Sequence, residues 1–259
     1  MRLNNNELIN QLMLTNPEVK VALDRMDEEN HLILSRFTHE LRNPLTLVKS
    51  TLQLIEGQHP EVKTFKYWDQ IQSDLNDTVA ILNQLSIYNH CEQLELTDIN
   101  FLKLMEQSVE GMKPLAAQKQ VKLVFTSDPD VRLHVISCDA VKIKEVITNL
   151  LKNAVEAAWI GSTIQVDLTI STGSNANGNY INLSVTNSGS PISQEFIHHI
   201  FEPFVTTKSN GSGLGLAISK KIAMLHKGTL SVSQTDDTVT FLLQLPIGVT
   251  SDSALDVAL

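Results

Sequence analysis

The chain has 259 residues, 42% of them apolar, with 20 Lys and Arg against 29 Asp and Glu and a net charge of −9. That length allows one large or two modest domains with real cores, and the acidic balance argues against broad nucleic-acid binding, because neutralising phosphates needs clustered Lys and Arg. The two cysteines, Cys91 and Cys138, have no pair spacing and no ligand-type neighbours, so they read as reduced thiols of a cytoplasmic protein rather than a disulfide or zinc framework.

The opening Met1-Arg2-Leu3-Asn4-Asn5-Asn6-Glu7 lacks an apolar signal core, so secretion is not expected. No uninterrupted apolar run approaches the roughly 20 residues a membrane helix needs, so no membrane insertion is expected. Residues 1–17 form an N-terminal segment in which Leu8, Ile9, Leu12 and Met13 fit a short amphipathic helix. Asn16-Pro17 breaks it, with Pro17 favoured at a helix start. Apolar residues then recur at Val19, Leu23, Met26, Ile33, Phe37, Leu41, Val48, Leu52 and Ile55. Spacings of three and four, or their sums, predict one helix about forty residues long. Gly57-Gln58-His59-Pro60 is a turn signal, and a second helical pattern runs through Trp68, Ile71, Leu75, Val79, Leu82, Leu85 and Tyr88. Residues 18–94 thus read as an antiparallel helical hairpin. One hairpin cannot bury both apolar stripes, whereas two hairpins from two chains can, so a homodimer through a four-helix bundle is expected.

Inside the first helix lies His39-Glu40-Leu41-Arg42-Asn43-Pro44. Neutral imidazole is a good nucleophile, and the Glu40 carboxylate can orient it and take its ring proton. Pro44 removes a backbone donor and clashes with the carbonyl of residue 40, so the helix should bend or loosen there. The stripe passes through Phe37 and Leu41, so residue 39 should point outward. The bland alternative is a solvated polar helix face.

After about residue 95 the pattern becomes mixed. Leu94 to Ile99 reads as a strand and Asn100 to Gln118 as a helix containing Pro114. Val121 to Phe125 and Val131 to Ile136 read as strands, and Asp139 as the N-cap of a helix reaching Ala158. Strands follow near 163–171 and 180–186, then a short helix near 193–199 and a Gly-rich loop. A helix over 213–226 and strands near 228–234 and 238–245 complete the domain 95–247. The tail 248–259 reads as disordered, and no internal repeat is visible.

Within the helix from 139, Asn149 and Asn153 stand four apart and share one face. Asn is a mediocre helix former, so two on one face need a reason. Exposure alone would be one, but Ile147, Leu150, Leu151, Ala154 and Val155 flank them closely and suggest a partly buried polar strip. An amide oxygen can ligate Mg²⁺, which prefers oxygen and bridges phosphates. Downstream, Val185-Thr186-Asn187-Ser188-Gly189-Ser190-Pro191-Ile192 is a strand entering a tight turn. Phe201 to Lys208 follows, then Gly211-Ser212-Gly213-Leu214-Gly215-Leu216. Glycines at every second position before a helix let backbone amides approach phosphate oxygens, and Lys208 could add a point charge.

These residues, with the His39 run, resemble the sensor histidine kinases of bacterial two-component systems, over about residues 30–247. The run His39 to Pro44 matches that family's phosphoacceptor box. Asn149-Leu150-Leu151-Lys152-Asn153-Ala154 matches its nucleotide-binding Asn box, Phe201 to Lys208 with Thr206 and Thr207 its ATP-lid motif, and Gly211 to Leu216 its second glycine box. Phe204 to Lys208 looks most like the sporulation and nitrogen-regulation kinases. The resemblance implies an α+β chain: a dimeric four-helix bundle followed by an α/β sandwich ATP-binding domain of the gyrase and histidine-kinase type. It implies ATP and Mg²⁺ as cofactors, with Asn153 on the metal, and transfer of phosphate from His39 to an aspartate of a response-regulator receiver domain. It also implies a phosphatase role for Asn43, which positions water. No sensor module is recognisable in residues 1–30, so input from a separate sensor or regulatory protein is expected.

Two departures from the family pattern stand out. The family's first glycine box usually begins with Asp, which accepts a hydrogen bond from the adenine amino group; here Asn187 holds that place, beside Gly189, and Pro191 replaces a second glycine. An amide oxygen accepts the same bond without charge assistance, so weaker binding is expected. Asn187 could instead only cap the turn. In ATP-hydrolysing relatives an acidic residue one turn before the magnesium-binding Asn activates water. Here it is Asn149, which disfavours a gyrase-like ATPase. The rival to a kinase is a transfer-only relay module with a degenerate nucleotide site, favoured by Asn187 and Pro191 and opposed by Asn153, Lys208, Gly213 and Gly215.

Overall fold

A computed structural model describes residues 16–90, 94–172, 179–208 and 211–247. Residues 1–15 of the expected helix over 1–16 and the tail 248–259 lie outside the described residues. The chain divides into two compact units, Met1–His90 and Cys91–Leu259.

The first unit is a helical hairpin. Helix α1 spans Pro17–Gln58, 42 residues. Pro17 sits where a missing N–H costs nothing, and the Asn16 side chain accepts the Glu18 N–H at 3.2 Å. The helix runs on through Pro44 without ending there. The expected turn at 57–60 starts late: Gly57 and Gln58 stay helical, and the His59 N–H closes on the Ile55 carbonyl at 2.7 Å. A 3₁₀ turn at Pro60–Thr64 then reverses the chain, with Val62 buried beneath it. Helix α2 spans Trp68–His90.

Polar bonds fix the register of the two helices. Arg42 donates to Asn83 at 3.2 Å, Lys49 to Asn76 at 3.0 Å, and Gln72 to Glu56 at 2.7 Å. Partners fall along α2 as they rise along α1, which is the antiparallel pairing expected. Lys63 also reaches Glu56 at 2.7 Å, and its hydrogen bond, with that of Gln72, holds the Glu56 carboxyl below the usual carboxylate range.

The second unit is a two-layer α/β sandwich. Strand β1, Thr97–Asn100, pairs antiparallel with β3, Val135–Cys138. Helix α3, Phe101–Gln118, starts where the Asn100 side chain accepts the Lys103 N–H at 2.9 Å. Strands β2 (Lys122–Ser127), β4 (Thr163–Thr172), β5 (Asn179–Ser188), β6 (Thr229–Gln234) and β7 (Thr238–Pro246) form one sheet in the order β2-β4-β5-β7-β6. Only the β2–β4 pair is parallel. Helix α4 spans Ala140–Ala157, α5 is the short Gln194–Ile197, and α6 spans Gly215–Leu225.

Strand alternation builds the core. Ile164, Val166 and Leu168 of β4 are buried, as are Ile181, Leu183 and Val185 of β5 and Phe241, Leu243 and Leu245 of β7. They pack with Met105 of α3, Ile143, Ile147 and Leu151 of α4, and Ile218 and Ile222 of α6. One expected strand is corrected. Residues 129–133 form a 3₁₀ turn, because Pro129 starts it and the Val131 and His134 N–H groups close on the Asp128 and Val131 carbonyls, each at 3.2 Å. Val131 is buried, which is the apolar signal that mimicked a strand.

Asp139 is the N-cap expected. Its Oδ1 accepts the Val141 and Lys142 N–H groups at 3.2 and 3.1 Å, and its Oδ2 accepts the Lys142 ammonium at 2.8 Å. The Asp139 N–H in turn donates to Nε2 of the buried His226 at 3.0 Å, while Nδ1 of that ring meets the Ile222 carbonyl at 2.8 Å. A carbonyl only accepts, so His226 carries its proton on Nδ1 and is neutral. Among the described residues, no helix is long and apolar enough to cross a membrane.

Candidate functional site

The hairpin presents the first constellation. His39, Glu40 and Asn43 are all exposed, and three- and four-residue spacings put them on one face of α1. Thr38 beside them is buried and donates its hydroxyl to the Leu34 carbonyl at 2.7 Å. The outward direction read for residue 39 therefore holds.

The second constellation is built on α4. Its apolar face is Ile143, Val146, Ile147, Leu150, Leu151, Ala154 and Val155, all buried. That leaves Glu145, Asn149, Asn153 and Glu156 as a half-buried polar strip. The Asn149 amide donates to the Gly215 carbonyl at 3.3 Å and to the Ser219 hydroxyl at 3.4 Å, so it ties α4 to the start of α6. Asn153 Oδ1 accepts from the Lys208 ammonium at 2.7 Å. Glu156, one turn further on, forms an ion pair with the same ammonium. Lys152 is exposed and stands 3.9 Å from the other Glu156 oxygen.

Lys208 is tied by its backbone to described neighbours on both sides. The Lys208 N–H donates to the Thr206 hydroxyl at 3.1 Å, and the Gly211 N–H to the Lys208 carbonyl at 3.2 Å. A Cβ at Gly211 would lie 2.5 Å from the Thr206 hydroxyl oxygen. Thr206 and Thr207 are exposed, Leu214 is fully buried, and Leu216 is half-buried. At the base of the loop, Gly213 has φ +68° and its carbonyl accepts the Phe204 N–H at 3.0 Å. A Cβ on Gly213 would meet the Phe204 carbonyl carbon at 2.5 Å, so this position requires glycine. Phe204 itself sits at φ +66° and is 63% exposed. A bulky residue in that conformation is strained, as is common in segments that rearrange around a ligand.

Asn187 stands near the end of β5. It is 1% exposed, and its amide nitrogen is buried with no hydrogen-bond partner. The turn-capping alternative finds no support there, because the turn is satisfied by backbone: the Gly189 N–H donates to the Asp237 carbonyl at 3.1 Å and the Trp159 N–H to the Ser188 carbonyl at 3.0 Å. A Cβ at Gly189 would strike the Ala157 carbonyl oxygen at 2.5 Å and the Asn187 amide nitrogen at 3.0 Å. Pro191 is exposed beyond the turn.

Two residues of the strip were not singled out from the sequence. Glu156 lies three residues after Asn153, and Glu145 four before Asn149, so the helical step from the Asn pair was the available signal. Burial pushes the Glu145 carboxyl up, against the opposing pull of Lys142. Burial, with the Asp139 charge beside it, pushes the Cys138 thiol up to about 12, which leaves it protonated and unreactive. Among the described residues, no group of three or more His, Cys, Asp and Glu could hold a metal ion.

The histidine kinase-, DNA gyrase B- and HSP90-like ATPase family matches residues 138–248, the segment that carries the Asn strip, the lid and the glycines. Sensor histidine kinase ZraS of Escherichia coli (strain K12) is 32% identical over 217 residues, 82% of this chain and 44% of that protein. Over about four fifths of its length this chain is similar to a two-component sensor histidine kinase. Sporulation kinase A of Bacillus subtilis (strain 168) is 30% identical over 210 residues, 80% of this chain and 33% of that kinase. The chain thus spans about a third to under half the length of these curated relatives. Full-length ShkA, solved in complex with AMPPNP, shares the fold at a TM-score of 0.71 and 24% identity, over 83% of this chain and 45% of that one.

Proposed function

We propose that this chain is an ATP-dependent protein-histidine kinase that phosphorylates His39 and passes the phosphoryl group to an aspartate on a response-regulator receiver domain. The observation that carries the reading is the junction of Asn153 and Lys208, an oxygen donor and a cation held 2.7 Å apart beside a glycine loop. The orphaned amide nitrogen of Asn187 is a donor, and it supports a purine ligand through a ring nitrogen that can accept from it.

Each residue then has a role. Asn187 meets the adenine amino group through its amide oxygen. Asn153 offers Oδ1 to Mg²⁺, which when bound neutralises phosphate charge. Lys208 and the backbone amides of Gly213 and Gly215 steady the phosphates, since phosphoryl transfer is chiefly positioning and charge stabilisation. An imidazole nitrogen of His39 attacks the γ-phosphorus, the bond to the leaving ADP breaks, and Glu40 takes the proton from the other ring nitrogen. Asn43, on the same face, positions water for dephosphorylation of the regulator. Asn149 is an amide already engaged by Gly215 and Ser219, so it offers no base to activate water, which argues against plain ATP hydrolysis.

The test is incubation with γ-labelled Mg-ATP. Label stable to alkali and labile to acid is expected on the native chain and absent from His39→Gln. Undiminished label on that variant would sink the assignment of the acceptor. A relay without its own nucleotide chemistry is the second reading, favoured by the neutral residue at Asn187. Calorimetry separates the two: Mg-ATP binding supports the kinase, and its complete absence supports the relay.

A further inference from the structure

We infer that Glu156 is a positioning residue that parks Lys208 on Asn153 when no nucleotide is present, so that Lys208 and a divalent cation compete for one oxygen atom. The inference rests on the reading of the Asn153–Lys208 junction as a Mg-nucleotide site, and goes beyond it by giving that site a closed resting state.

Asn153 Oδ1 is the atom the divalent cation would need, and in this structure it accepts from the Lys208 ammonium. A neutral amide oxygen alone is a modest holder for an ammonium group. The carboxylate of Glu156 completes the hold, because a residue three positions along a helix lies on the same face. The backbone of Lys208 is fixed separately by the Thr206 hydroxyl and the Gly211 N–H. Only the flexible side chain of Lys208 therefore has to move, and its four-carbon stem allows this.

The pair is weak enough to be released. The Lys208 side chain is 42% exposed and that of Glu156 is 30% exposed, and ion pairs this open contribute little beyond a few-fold shift in an equilibrium. Glu156 is also not abandoned when Lys208 leaves, because the Lys152 ammonium already stands 3.9 Å from its other oxygen. The arrangement is an exchange. A divalent cation takes the amide oxygen, the released ammonium turns to the phosphates, and Glu156 falls back on Lys152.

Calorimetry with Mg-AMPPNP and side-chain amide NMR of Asn153 test this together. Glu156→Gln keeps the shape and removes the charge. It is expected to tighten Mg-AMPPNP binding roughly two- to fivefold, the scale of a half-exposed ion pair. In a Lys208→Met background the same substitution is expected to change nothing. A gain of equal size in both backgrounds would mean only that a negative charge repels phosphate, and would overturn the inference. A loss of affinity on Glu156→Gln would make Glu156 a partner of the metal instead, and would overturn it too. In the nucleotide-free protein, Glu156→Gln and Lys208→Met should each shift the Asn153 amide resonance; an unmoved resonance in both would sink the resting state whatever the nucleotide data say. If the resonance moves but no nucleotide binds with or without Mg²⁺, the contact stands and the kinase reading falls.

Discussion

Asn187 leaves one buried amide nitrogen without a partner, and an unmet buried donor costs about 1–3 kcal/mol. Asn187→Asp removes that donor and restores charge assistance toward the adenine amino group. ATP binding should tighten several-fold, about 1 kcal/mol. GTP binding should not improve, because guanine presents a carbonyl where adenine presents its amino group. Calorimetry on both nucleotides checks this, and an unchanged ATP affinity would remove the base-reading role from Asn187. The two perturbed carboxyls of α4 give opposite pH signatures. Burial raises the Glu145 carboxyl in the folded state, so the fold binds the extra proton and loses stability as pH rises from the ordinary carboxylate range through the raised value. Glu145→Gln should therefore be more stable than the native chain at about pH 7, with the difference gone near pH 3, where both forms are protonated. For Asp139, burial works upward, but the Lys142 ammonium and the N–H groups of Lys142 and Glu95 outweigh it and lower the carboxyl. Its stabilisation is present above the ordinary carboxylate range and is lost as pH falls through the lowered value. Asp139→Ala should cost about 1 kcal/mol at about pH 7, the usual worth of a helix cap, as read by chemical denaturation.

At the scale of elements, glycines two apart in one loop have different reasons to be there. Gly213 has positive φ and no room for a Cβ, so Gly213→Ala should lose at least about 1 kcal/mol of stability. Gly215 begins α6, and its Cβ would meet Asn149 at an ordinary 3.6 Å. Gly215→Ala should fold within about 0.5 kcal/mol of the native chain, because helix propensity favours Ala. Paired denaturation curves decide this; equal losses would show that the lid base is not pinned as described. The same contrast explains what could be read in advance. Helices α1, α2 and α4 were legible because their apolar residues repeat at helical spacing over many turns, and β4, β5 and β7 because theirs alternate. The 3₁₀ turns at Pro60–Thr64 and Pro129–Leu133 were not, since each rests on a few backbone bonds and one buried Val that looks like any other apolar residue. The Asn pair, the glycine loop and Lys208 were visible as motifs. Glu156 and the orphaned amide of Asn187 were not, because a partner across 52 residues, or the lack of one, is a fact of packing.

For the whole molecule, the hairpin leaves much of its apolar surface in view. Leu32, Ile33, Phe37, Leu41, Leu47, Val48 and Leu54 of α1 and Ile71 and Ile81 of α2 are exposed in the single chain. Contiguous apolar stripes of that length mark an association surface. A homodimeric mass by light scattering is expected at roughly tens of micromolar protein, and Leu47→Glu should shift it toward the monomer. A monomeric native chain at that concentration would count against the four-helix bundle.

The buried imidazole of His226 has a consequence for how the nucleotide domain moves. It joins the C-terminal end of α6 to the first residue before α4, while Asn149 joins the middle of α4 to the beginning of α6. Two fastenings, one toward each end, leave the helices no hinge between them. They form a preorganised plate whose ordering entropy is already spent in folding, so the face that carries Asn149 and Asn153 needs no further ordering.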